Sequence, residues 1–435
     1  MKILIVTAWY HPFIHPRAHR WTALAEHWAS DGHSVHVLTA RVRESGRSEV
    51  IQGVEVHRVG FDSLKEWVYF WLGSRRARGR VGVKPSKQSL PSRLAAWLYN
   101  MVWKNLYFPD DACLWYFPAR KKMRQLLGSQ HFDAIITVSL PFTGHLLGLA
   151  SNPGSPIAPT WLADIGDPFS FQLKSPNNPF FYKTKNERLE KKILETADAV
   201  TVTTEATLLK YCEKFGEKAI AKMSVVPPLL SMPSNASKIT HHPFTHSPIH
   251  QSIKIGYFGA LYAPTRTPDA FLELLAQTFA LRPELRGHLE IHFYGEIFPE
   301  FYEKLHNEPS IRLHGLCSRE TARAAMLEMD ILLNIGNATD FQLPSKAVDY
   351  LAAGKPVLNL SHVQNDPFTR FFGENPMILN LKIQNGSIGE GEIERWLAWL
   401  QSEKPIPGEA ELRERVAPFM VGNIAAQYLA LINAK

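Results

Sequence analysis

The sequence predicts an α/β protein built from two doubly wound parallel sheets, each in a domain of its own. The first observation is the length of 435 residues, which exceeds what one ordinary hydrophobic core organises. The second is an alternation of apolar runs with helical periodicity that stops near Pro228 and restarts at Ile253. The third is the stretch 229–251, rich in Ser, Pro, His and Thr, which we interpret as a linker.

The predicted N-terminal domain covers residues 1–228. Its strands are short apolar or alternating runs of the kind that parallel sheets bury. These runs are 2–8, 34–39, 54–59, 134–139, 160–163 and 199–203. Apolar residues spaced three or four apart predict helices over 21–28, over 116–127, from 144 onward and over 185–197.

The predicted C-terminal domain covers residues 252–408 and repeats the alternation. Its strands are expected at 253–259, 289–295, 311–315, 330–335 and 356–360, with helices beginning at Pro268, Ser318 and Ser345. The remaining segment, 409–435, is predicted to be helical over roughly 409–433, and packing back on the N-terminal domain is one expectation for it. We expect the two domains to face a central cleft, the usual ligand position in open α/β sheets.

Several classes of protein are excluded. The three cysteines form no CxxC pair, so neither a disulfide framework nor a zinc finger is predicted. There is no run of eighteen apolar residues, and the apolar start 2–8 lacks a small-residue cleavage site. We therefore expect an intracellular protein, either soluble or peripheral to a membrane. A GxGxxG turn and a P-loop are both missing, which argues against nicotinamide dehydrogenases and P-loop enzymes.

No metal or cofactor site is predicted. The 18 histidines form no HExxH pattern, and no Asp-rich ligand set occurs. Four of the histidines cluster within 241–250, inside the predicted linker. We interpret that cluster as part of a solvated linker, with metal binding as the alternative.

The net charge of 48 − 41 = +7 is concentrated in one part of the chain. Residues 75–104 contain eight basic residues and no acid, inside an insert of about 61–108 that is also rich in aromatic residues. Apolar residues at helical spacing over 94–102 predict an amphipathic helix there. Tryptophan with Lys and Arg on such a helix is typical of a membrane interface, so an anionic membrane surface through 67–108 is one expected partner. Packing of this helix on its own domain is the alternative, and nucleic acid is the least favoured partner.

The stretch 343–358 predicts a phosphate site. Ser345 is expected to be the N-cap of a short helix that Gly354 ends, and this helix follows a strand. The free N–H groups of its first turn would bind phosphate, and Lys346 adds a positive charge. Asp349 lies one turn further on, where a carboxylate accepts hydrogen bonds from ribose hydroxyls. An exposed ion pair between Lys346 and Asp349 is the structural alternative.

A second phosphate feature opens the C-terminal domain. The predicted strand 253–259 ends at Gly259, where the backbone can approach a ligand closely. Arg266 follows on the loop before a helix, and a guanidinium suits a diphosphate. Both phosphate features directly follow strands of the same domain, so we expect them to form one nucleotide site.

These motifs resemble those of family 4 glycosyltransferases, which have the GT-B fold. The pattern PSKAVDYLAAGKPVL at 344–358, with YFGALY at 257–262 upstream, carries the resemblance. Residues 1–40 resemble the first strand, acceptor loop, helix and second strand of the same family. The segments 137–148, 161–171 and 197–206 resemble a bacterial subgroup that builds surface polysaccharides. The resemblance covers most of the chain outside the insert and the linker.

The resemblance implies roles on the donor side. Asp349 matches the ribose contact, Ser345 and Lys346 match the phosphate turn, and Arg266 matches the basic residue for the diphosphate. Gly259 and Leu261 match the donor loop. Two departures are visible: Ala260 stands where the family often has arginine, and Phe341, next to Asp340, stands where it has its first glutamate.

The resemblance also implies roles in the N-terminal half. His145 is expected near the reacting sugar. The acceptor is expected to contact side chains of the loop 10–20 and of a strand end, namely Arg17, His19, Arg20, Asp164 and Asp167. For His145 and Asp167, a purely structural role is the alternative.

The sequence therefore predicts a retaining, metal-independent glycosyltransferase of the hexosyltransferase class. It would move a sugar from a UDP- or GDP-linked donor to a glycan or lipid-linked acceptor in bacterial polysaccharide synthesis. Cytoplasmic location, peripheral on the inner face of the membrane, is expected. Two alternatives are a UDP-N-acetylglucosamine 2-epimerase-like enzyme and a non-catalytic nucleotide-sugar-binding protein.

Overall fold

The computed structural model describes residues 1–42, 45–71, 99–151, 159–230, 252–405 and 407–434, and the side chains of all of these except 69–71 and 100. Most of the predicted linker 229–251, the histidine cluster within it and the basic residues 75–93 lie outside the described residues. The described chain divides into two compact units. The N-terminal unit comprises residues up to 229 together with those from 421 onward, and the C-terminal unit comprises 230–420.

The N-terminal unit is built on an eight-stranded sheet. Its strands are β1 (Lys2–Val6), β2 (Ser34–Thr39), β3 (Ser48–Ile51), β4 (Val54–Arg58), β5 (Ala134–Ser139), β6 (Thr160–Ile165), β7 (Ala199–Val202) and β8 (Met223–Val225). The strand order is β3-β4-β2-β1-β5-β6-β7-β8, and every pairing is parallel except that of β3 with β4. The sequence does not predict the β3–β4 hairpin, because only β4 shows a clear alternation.

The described helices of the N-terminal unit connect these strands. They are α1 (Pro16–Ser30), α2 (Leu64–Trp71), α3 (Lys104–Leu106), α4 (Tyr116–Ser129), α5 (Thr143–Leu149), α6 (Pro179–Thr196), α7 (Glu205–Phe215), α8 (Glu217–Ile220) and, near the C-terminus, α16 (Val421–Asn433). α6 begins six residues before the predicted start at 185. The side chain of Asn178 accepts a hydrogen bond from the N–H of Phe180, and Pro179 occupies the first turn.

The C-terminal unit is built on a seven-stranded sheet. Its strands are β9 (Ile253–Phe258), β10 (Leu289–Tyr294), β11 (Ile311–Gly315), β12 (Ile331–Ile335), β13 (Val357–Ser361), β14 (Ile378–Gln384) and β15 (Ser387–Ile388), in the order β11-β10-β9-β12-β13-β14-β15. The described helices are α9 (Asp269–Leu281), α10 (Pro299–His306), α11 (Arg319–Glu328), α12 (Lys346–Ala353), α13 (Pro367–Phe372), α14 (Glu390–Gln401) and α15 (Glu409–Val416). Only β15 runs antiparallel to its neighbour.

Both sheets are covered by apolar side chains on both faces. In β1, Leu4 and Val6 join one cluster while Ile3 and Ile5 join another, because successive side chains of a strand point to opposite faces. The C-terminal sheet shows the same arrangement in two clusters. The predicted α/β class with two doubly wound sheets is confirmed.

The predicted helix over 409–433 is wrong in one respect. A 3-10 turn at Ala417–Phe419 breaks it into α15 and α16, because Pro418 has no N–H with which to continue the helix. α15 belongs to the C-terminal unit and α16 to the N-terminal unit. In the described part of the chain, Glu409–Asn433 alone has the length and hydropathy of a membrane span. Long core helices have the same properties, and Ile424 and Tyr428 are indeed core residues.

Candidate functional site

In each unit, the residues predicted from the sequence gather where the strand order reverses. The reversal lies between β1 and β5 in the N-terminal sheet and between β9 and β12 in the C-terminal sheet. Ligands of open α/β sheets bind outside the carboxyl ends of the strands at this point. The chain after these strands carries most of the predicted site residues: Arg17, His19, Arg20, His145, Gly259, Leu261, Arg266, Ser345, Lys346 and Asp349.

Arg266 lies on the loop after β9 and is held by three acceptors. Its Nη2 donates to Oδ1 of Asn337 at 2.6 Å, and its Nη1 donates to the carbonyl oxygen of Ala260 at 3.2 Å and to the hydroxyl of Tyr257 at 3.5 Å. Its Nε is buried and has no hydrogen-bond partner. The guanidinium is therefore fixed in place, while its Nε–H and the second N–H of Nη2 take no part in these three bonds.

Lys346 is a buried lysine whose amino group has no hydrogen-bonding partner. Its Nζ lies 3.9 Å from the ring centroid of Tyr257 and 5.5 Å from that of Tyr350, and it makes no hydrogen bond. Burial, together with the neighbouring positive charge of Arg266, holds the pKa of Lys346 well below its usual range. Desolvation of an unpaired ammonium costs several kcal/mol in real proteins, which a bound anion would offset. The arrangement is suited to an anion such as phosphate.

The helix α12 begins differently from the prediction. Ser345 has helical backbone angles and its side chain makes no capping hydrogen bond, so the prediction of Ser345 as N-cap is wrong. A backbone hydrogen bond from Ala347 N–H to the carbonyl oxygen of Pro344, 2.9 Å long, closes the first turn, and the Ser345 side chain is exposed. The predicted end is confirmed, since Gly354 adopts the left-handed conformation with φ +60°.

Asp349 and Leu261 differ in what they offer to a ligand. Asp349 is half-buried, and its charge acts on Arg319, whose pKa is lowered by burial and raised in part by this carboxylate. Leu261 is fully buried in the core, and its N–H donates to the carbonyl oxygen of Glu296 at 2.9 Å. Leu261 therefore shapes the loop after β9, and neither its side chain nor its N–H is available to a donor nucleotide sugar.

The loop after β9 depends on a close approach of two glycines. Gly295 has φ +132°, and a Cβ placed on it would lie 2.1 Å from the carbonyl oxygen of Gly259. Any side chain at position 295 would therefore displace the turn that leads to Arg266.

Position 341, where the family resemblance leads us to expect a glutamate, is apolar in the structure. Phe341 is buried, and the adjacent Asp340 is half-buried. The carbonyl oxygen of Asp340 accepts a hydrogen bond from Nη2 of Arg370 at 2.7 Å. The loop between β12 and α12 is thus anchored by its backbone.

In the N-terminal unit, Asp164 is the centre of a buried polar network. Its Oδ1 accepts hydrogen bonds from Thr201 at 2.7 Å and from Tyr428 at 2.6 Å, and its Oδ2 accepts from Nε1 of Trp21 at 3.1 Å. Arg17 forms an ion pair with the same Oδ2. Since each carboxylate oxygen already has two partners, Asp164 positions Arg17 rather than contacting an acceptor directly.

Arg20 is also structural. It is buried, and its guanidinium donates to the carbonyl oxygens of Pro227 and Val226 at 2.7 and 3.3 Å and to the hydroxyl of Tyr428 at 3.0 Å. These contacts fasten α1 to α16 and to the segment that follows β8. Its predicted acceptor contact finds no support in this placement.

Arg17, Asp167 and His19 retain an exposed portion. The Arg17 side chain is 11% exposed, packs across the backbone of Gly166 and has a buried Nε without a hydrogen-bond partner. Burial and the like charge of Arg20 lower the pKa of Arg17 to about 10, while Asp167 partly opposes this. Asp167 and His19 are half-buried. These three remain candidate acceptor residues.

His145 lies in the first turn of α5 and is fully buried. Its Nδ1 is 2.8 Å from Oγ1 of Thr137, and its Nε2 has no hydrogen-bond partner. Burial and the nearby charge of Arg17 lower its pKa to about 3, so the ring is neutral at ordinary pH. Asp110 holds the helix start, because its carboxylate accepts hydrogen bonds from the N–H and the hydroxyl of Thr143 at 2.9 and 2.7 Å.

Within the described residues, one group of three side chains brings metal-ligand atoms within 4.8 Å of one another: His36, Glu55 and His57. Nδ1 of His36 lies 3.3 Å from Nε2 of His57, and burial with the nearby Lys122 lowers the pKa of His57 to about 4. The geometry fits a hydrogen bond between two neutral imidazoles on β2 and β4. Metal independence stays a prediction.

Sequence reasoning missed the residues that orient the predicted ones. Asn337 and Tyr257 fix Arg266, and Thr137 contacts His145. Tyr257 precedes the loop glycine by two residues, which is a usable signal. The other two carry no sequence signal, because Asn337 comes near Arg266 only when β9 and β12 lie side by side, and Thr137 meets His145 only when α5 packs back on β5.

The comparisons with known proteins agree with this architecture. Residues 18–228 match the family model of the glycosyl transferase 4-like domain. Sucrose-phosphate synthase from Thermosynechococcus elongatus has a TM-score of 0.62 at 16% identity, with both chains covered completely. A UDP-forming trehalose-phosphate synthase from Burkholderia vietnamiensis has a TM-score of 0.62 at 10% identity, again over both complete chains. Anabaena Alr3699/HepE, solved in complex with UDP and glucose, has a TM-score of 0.57 at 13% identity over both complete chains. A search of curated protein sequences found no match.

Two parallel-dominated α/β units with helices on both faces of each sheet define the GT-B fold of these solved structures. The chain thus has the GT-B fold, and it contains a glycosyltransferase domain over residues 18–228. Its N-terminal half carries the glycosyl transferase 4-like domain, and for this domain the predicted resemblance to family 4 glycosyltransferases is confirmed. The predicted roles of individual residues stay predictions.

Proposed function

We propose that this enzyme transfers a sugar from a UDP- or GDP-linked donor to a glycan or lipid-linked acceptor, with retention at the anomeric carbon. The single observation that carries the proposal is Lys346, a buried amino group with no hydrogen-bonding partner, beside the fixed guanidinium of Arg266. Both lie at the switch point of the C-terminal sheet. The complex of Anabaena HepE with UDP and glucose supports a nucleotide sugar as donor.

The two cations supply what the difficult step requires. Breaking the bond between the sugar C1 and the donor oxygen leaves negative charge on the β-phosphate. Lys346 and the free Nε of Arg266 would stabilise this charge as it develops, from positions set before the reaction. A divalent metal would supply the same stabilisation, which is why we propose that none is needed.

His145 would act as a neutral hydrogen-bond donor to a sugar hydroxyl. Its pKa of about 3 excludes a charged imidazolium at ordinary pH. With retention, the acceptor attacks from the face that the leaving phosphate vacates, and that phosphate takes up the acceptor proton. This stereochemistry rests on the resemblance to family 4.

The membrane is proposed as the place of action. Residues 67–109 contain eight basic residues, no acid and several tryptophans, a composition that suits an anionic membrane surface. We therefore propose a cytoplasmic enzyme, peripheral on the inner face of the membrane, with a role in bacterial surface polysaccharide synthesis. A lipid-linked acceptor follows from that location.

The test is donor turnover by Arg266→Ala and Lys346→Ala. Each variant is expected to lose about a hundredfold or more in kcat with UDP- or GDP-sugars, as removal of one stabilising donor does elsewhere. Lys304→Ala is the matched control, since Lys304 is an exposed lysine of the same unit that pairs with Asp269 at 2.7 Å. Wild-type rates in both variants would refute the proposed role.

The product identifies the reaction. Transfer with retained configuration, unaffected by EDTA, supports the proposal. Conversion of the sugar nucleotide without any acceptor would assign an epimerase-like activity instead. Binding of UDP, seen as a raised melting temperature, without turnover of any sugar nucleotide would assign a non-catalytic binding protein.

A further inference from the structure

We infer that a second segment, 180–181, joins the end of the basic insert to form a docking face that inserts into an anionic bilayer. This docking face consists of Met101, Val102 and Leu106 on one side and Phe180 and Phe181 on the other. The inference rests on the membrane partner proposed above and adds the side chains that enter the bilayer. Neither the charge of the insert nor the family resemblance points to residues 180 and 181.

The exposure of these side chains is unusual for their size. Phe180 is 87% exposed, Phe181 60% and Leu106 62%. The two phenylalanine rings meet edge to face, with centroids 5.1 Å apart. Single exposed apolar residues are common, whereas a contiguous group with two adjacent phenylalanines marks an interaction surface.

Hydrogen bonds fasten the two sides of the docking face together. Nδ2 of Asn178, whose Oδ1 caps α6, donates to Oδ1 of Asn105 at 2.6 Å. The hydroxyl of Tyr182 donates to the carbonyl oxygen of Leu106 at 3.0 Å, and that of Tyr107 donates to the carbonyl oxygen of Pro176 at 2.8 Å. These bonds hold the backbones of the two sides together, which lowers the backbone ordering that binding requires.

The charge around the docking face decides between a bilayer and a second copy of the chain. Residues 168–186 contain three lysines and no acid, and they contact the acid-free stretch that ends at 109. The lysines Lys174, Lys183 and Lys185 are exposed. Pairing of two such faces would bring like charges together, whereas anionic headgroups would neutralise them while the phenylalanines reach the acyl boundary.

The test is sedimentation with vesicles of equal parts phosphatidylcholine and phosphatidylglycerol, without donor or acceptor. Phe180→Ser/Phe181→Ser is expected to lower the partition coefficient at least tenfold, through lost apolar burial. Lys183→Gln/Lys185→Gln is expected to lower it at least fivefold at low salt and little at high salt. The matched control is Leu281→Ser, which replaces an exposed leucine (57%) on α9 of the other unit and should change nothing.

Three outcomes would overturn the inference. One is unchanged partition of the phenylalanine variant, and another is equal binding to pure phosphatidylcholine. The third is a dimer in light scattering that Phe180→Ser/Phe181→Ser dissociates, which would assign the face to a second copy. Turnover with a water-soluble acceptor, measured on the same variants, should stay at the wild-type rate. Absence of turnover in the wild-type protein would count against the proposed function and not against the docking face. Loss of turnover in the phenylalanine variant alone would assign these side chains to the acceptor site and would also overturn the inference.

Discussion

Oγ1 of Thr137 lies 2.8 Å from Nδ1 of His145 and, on its other side, 2.8 Å from Nε1 of Trp161. An indole N–H only donates, so Thr137 accepts from Trp161. Among the described residues, Nδ1 of His145 is the one acceptor beside the Thr137 hydroxyl, so we infer that this hydroxyl directs its proton to His145. The network thereby assigns the proton of the neutral imidazole to Nε2, the buried nitrogen without a hydrogen-bond partner. A strand residue that no ligand needs to touch thus sets which His145 nitrogen can donate.

Replacing Thr137 with valine should impair turnover without unfolding the protein. Valine keeps the shape but removes the hydroxyl, so the imidazole can carry its proton on either nitrogen. We expect kcat to fall by about tenfold with little change in KM, and Thr137→Ser to restore most of it. The ¹⁵N shifts of the His145 ring should show a protonated Nε2 in the wild type and in Thr137→Ser. Equal kcat in the valine and serine variants would contradict this assignment.

Nucleotide binding should place a proton on Lys346. Its pKa is lowered by burial and by Arg266, whereas a diphosphate favours the charged ammonium. Above the free-state pKa, binding must take up a proton, so the affinity for UDP or GDP should fall as pH rises. Calorimetry in two buffers of different ionisation enthalpy between pH 7 and 9 measures this uptake. Lys346→Arg should remove it, because arginine stays charged; uptake that persists in that variant would point to another group.

The sequence was sufficient for the fold because both sheets are encoded by apolar runs. Strands such as β5 (Ala134–Ser139) and β12 (Ile331–Ile335) are buried on both faces. They therefore stand out as continuous apolar runs, and no alternation of polar and apolar residues is needed to recognise them. The sequence does not predict the β3–β4 hairpin because Ser48–Ile51 is a short edge strand with polar residues. The break at 417–419 depends on Pro418, which the apolar period of the flanking residues obscured.

The candidate site was predictable in position but not in role. Residues after strands at a switch point can be identified from the sequence, and Lys346 and Arg266 are indeed neighbours in the structure. Whether a polar residue is free or saturated depends on partners far away in the chain. Arg20 and Asp164 both contact Tyr428, more than 250 residues away, and this contact gives them structural roles.

Arg20→Met should destabilise the N-terminal unit and leave acceptor binding unchanged. Methionine fills the space but leaves the carbonyl oxygens of Pro227 and Val226 and the hydroxyl of Tyr428 without this donor. The loss should be about 3 kcal/mol, or roughly 6 °C in the melting temperature of that unit. Arg413→Met, at an exposed arginine of α15, should shift melting by less than about 1 °C. A stable Arg20→Met variant with a tenfold higher acceptor KM would restore the acceptor role predicted from the family resemblance.

Gly295→Ala should displace the loop after β9, although residue 295 itself lies outside that loop. The added methyl would lie 2.1 Å from the carbonyl oxygen of Gly259, and φ +132° is strained for alanine. The turn leading to Arg266 must move, so UDP affinity should fall at least tenfold and stability by about 2 kcal/mol or more. Gly287→Ala is the matched control, because a Cβ there meets nothing within 4 Å. Thermal-shift titration with UDP and GDP compares the two variants. Equal nucleotide shifts in both would show that the contact between Gly295 and Gly259 does not hold the loop.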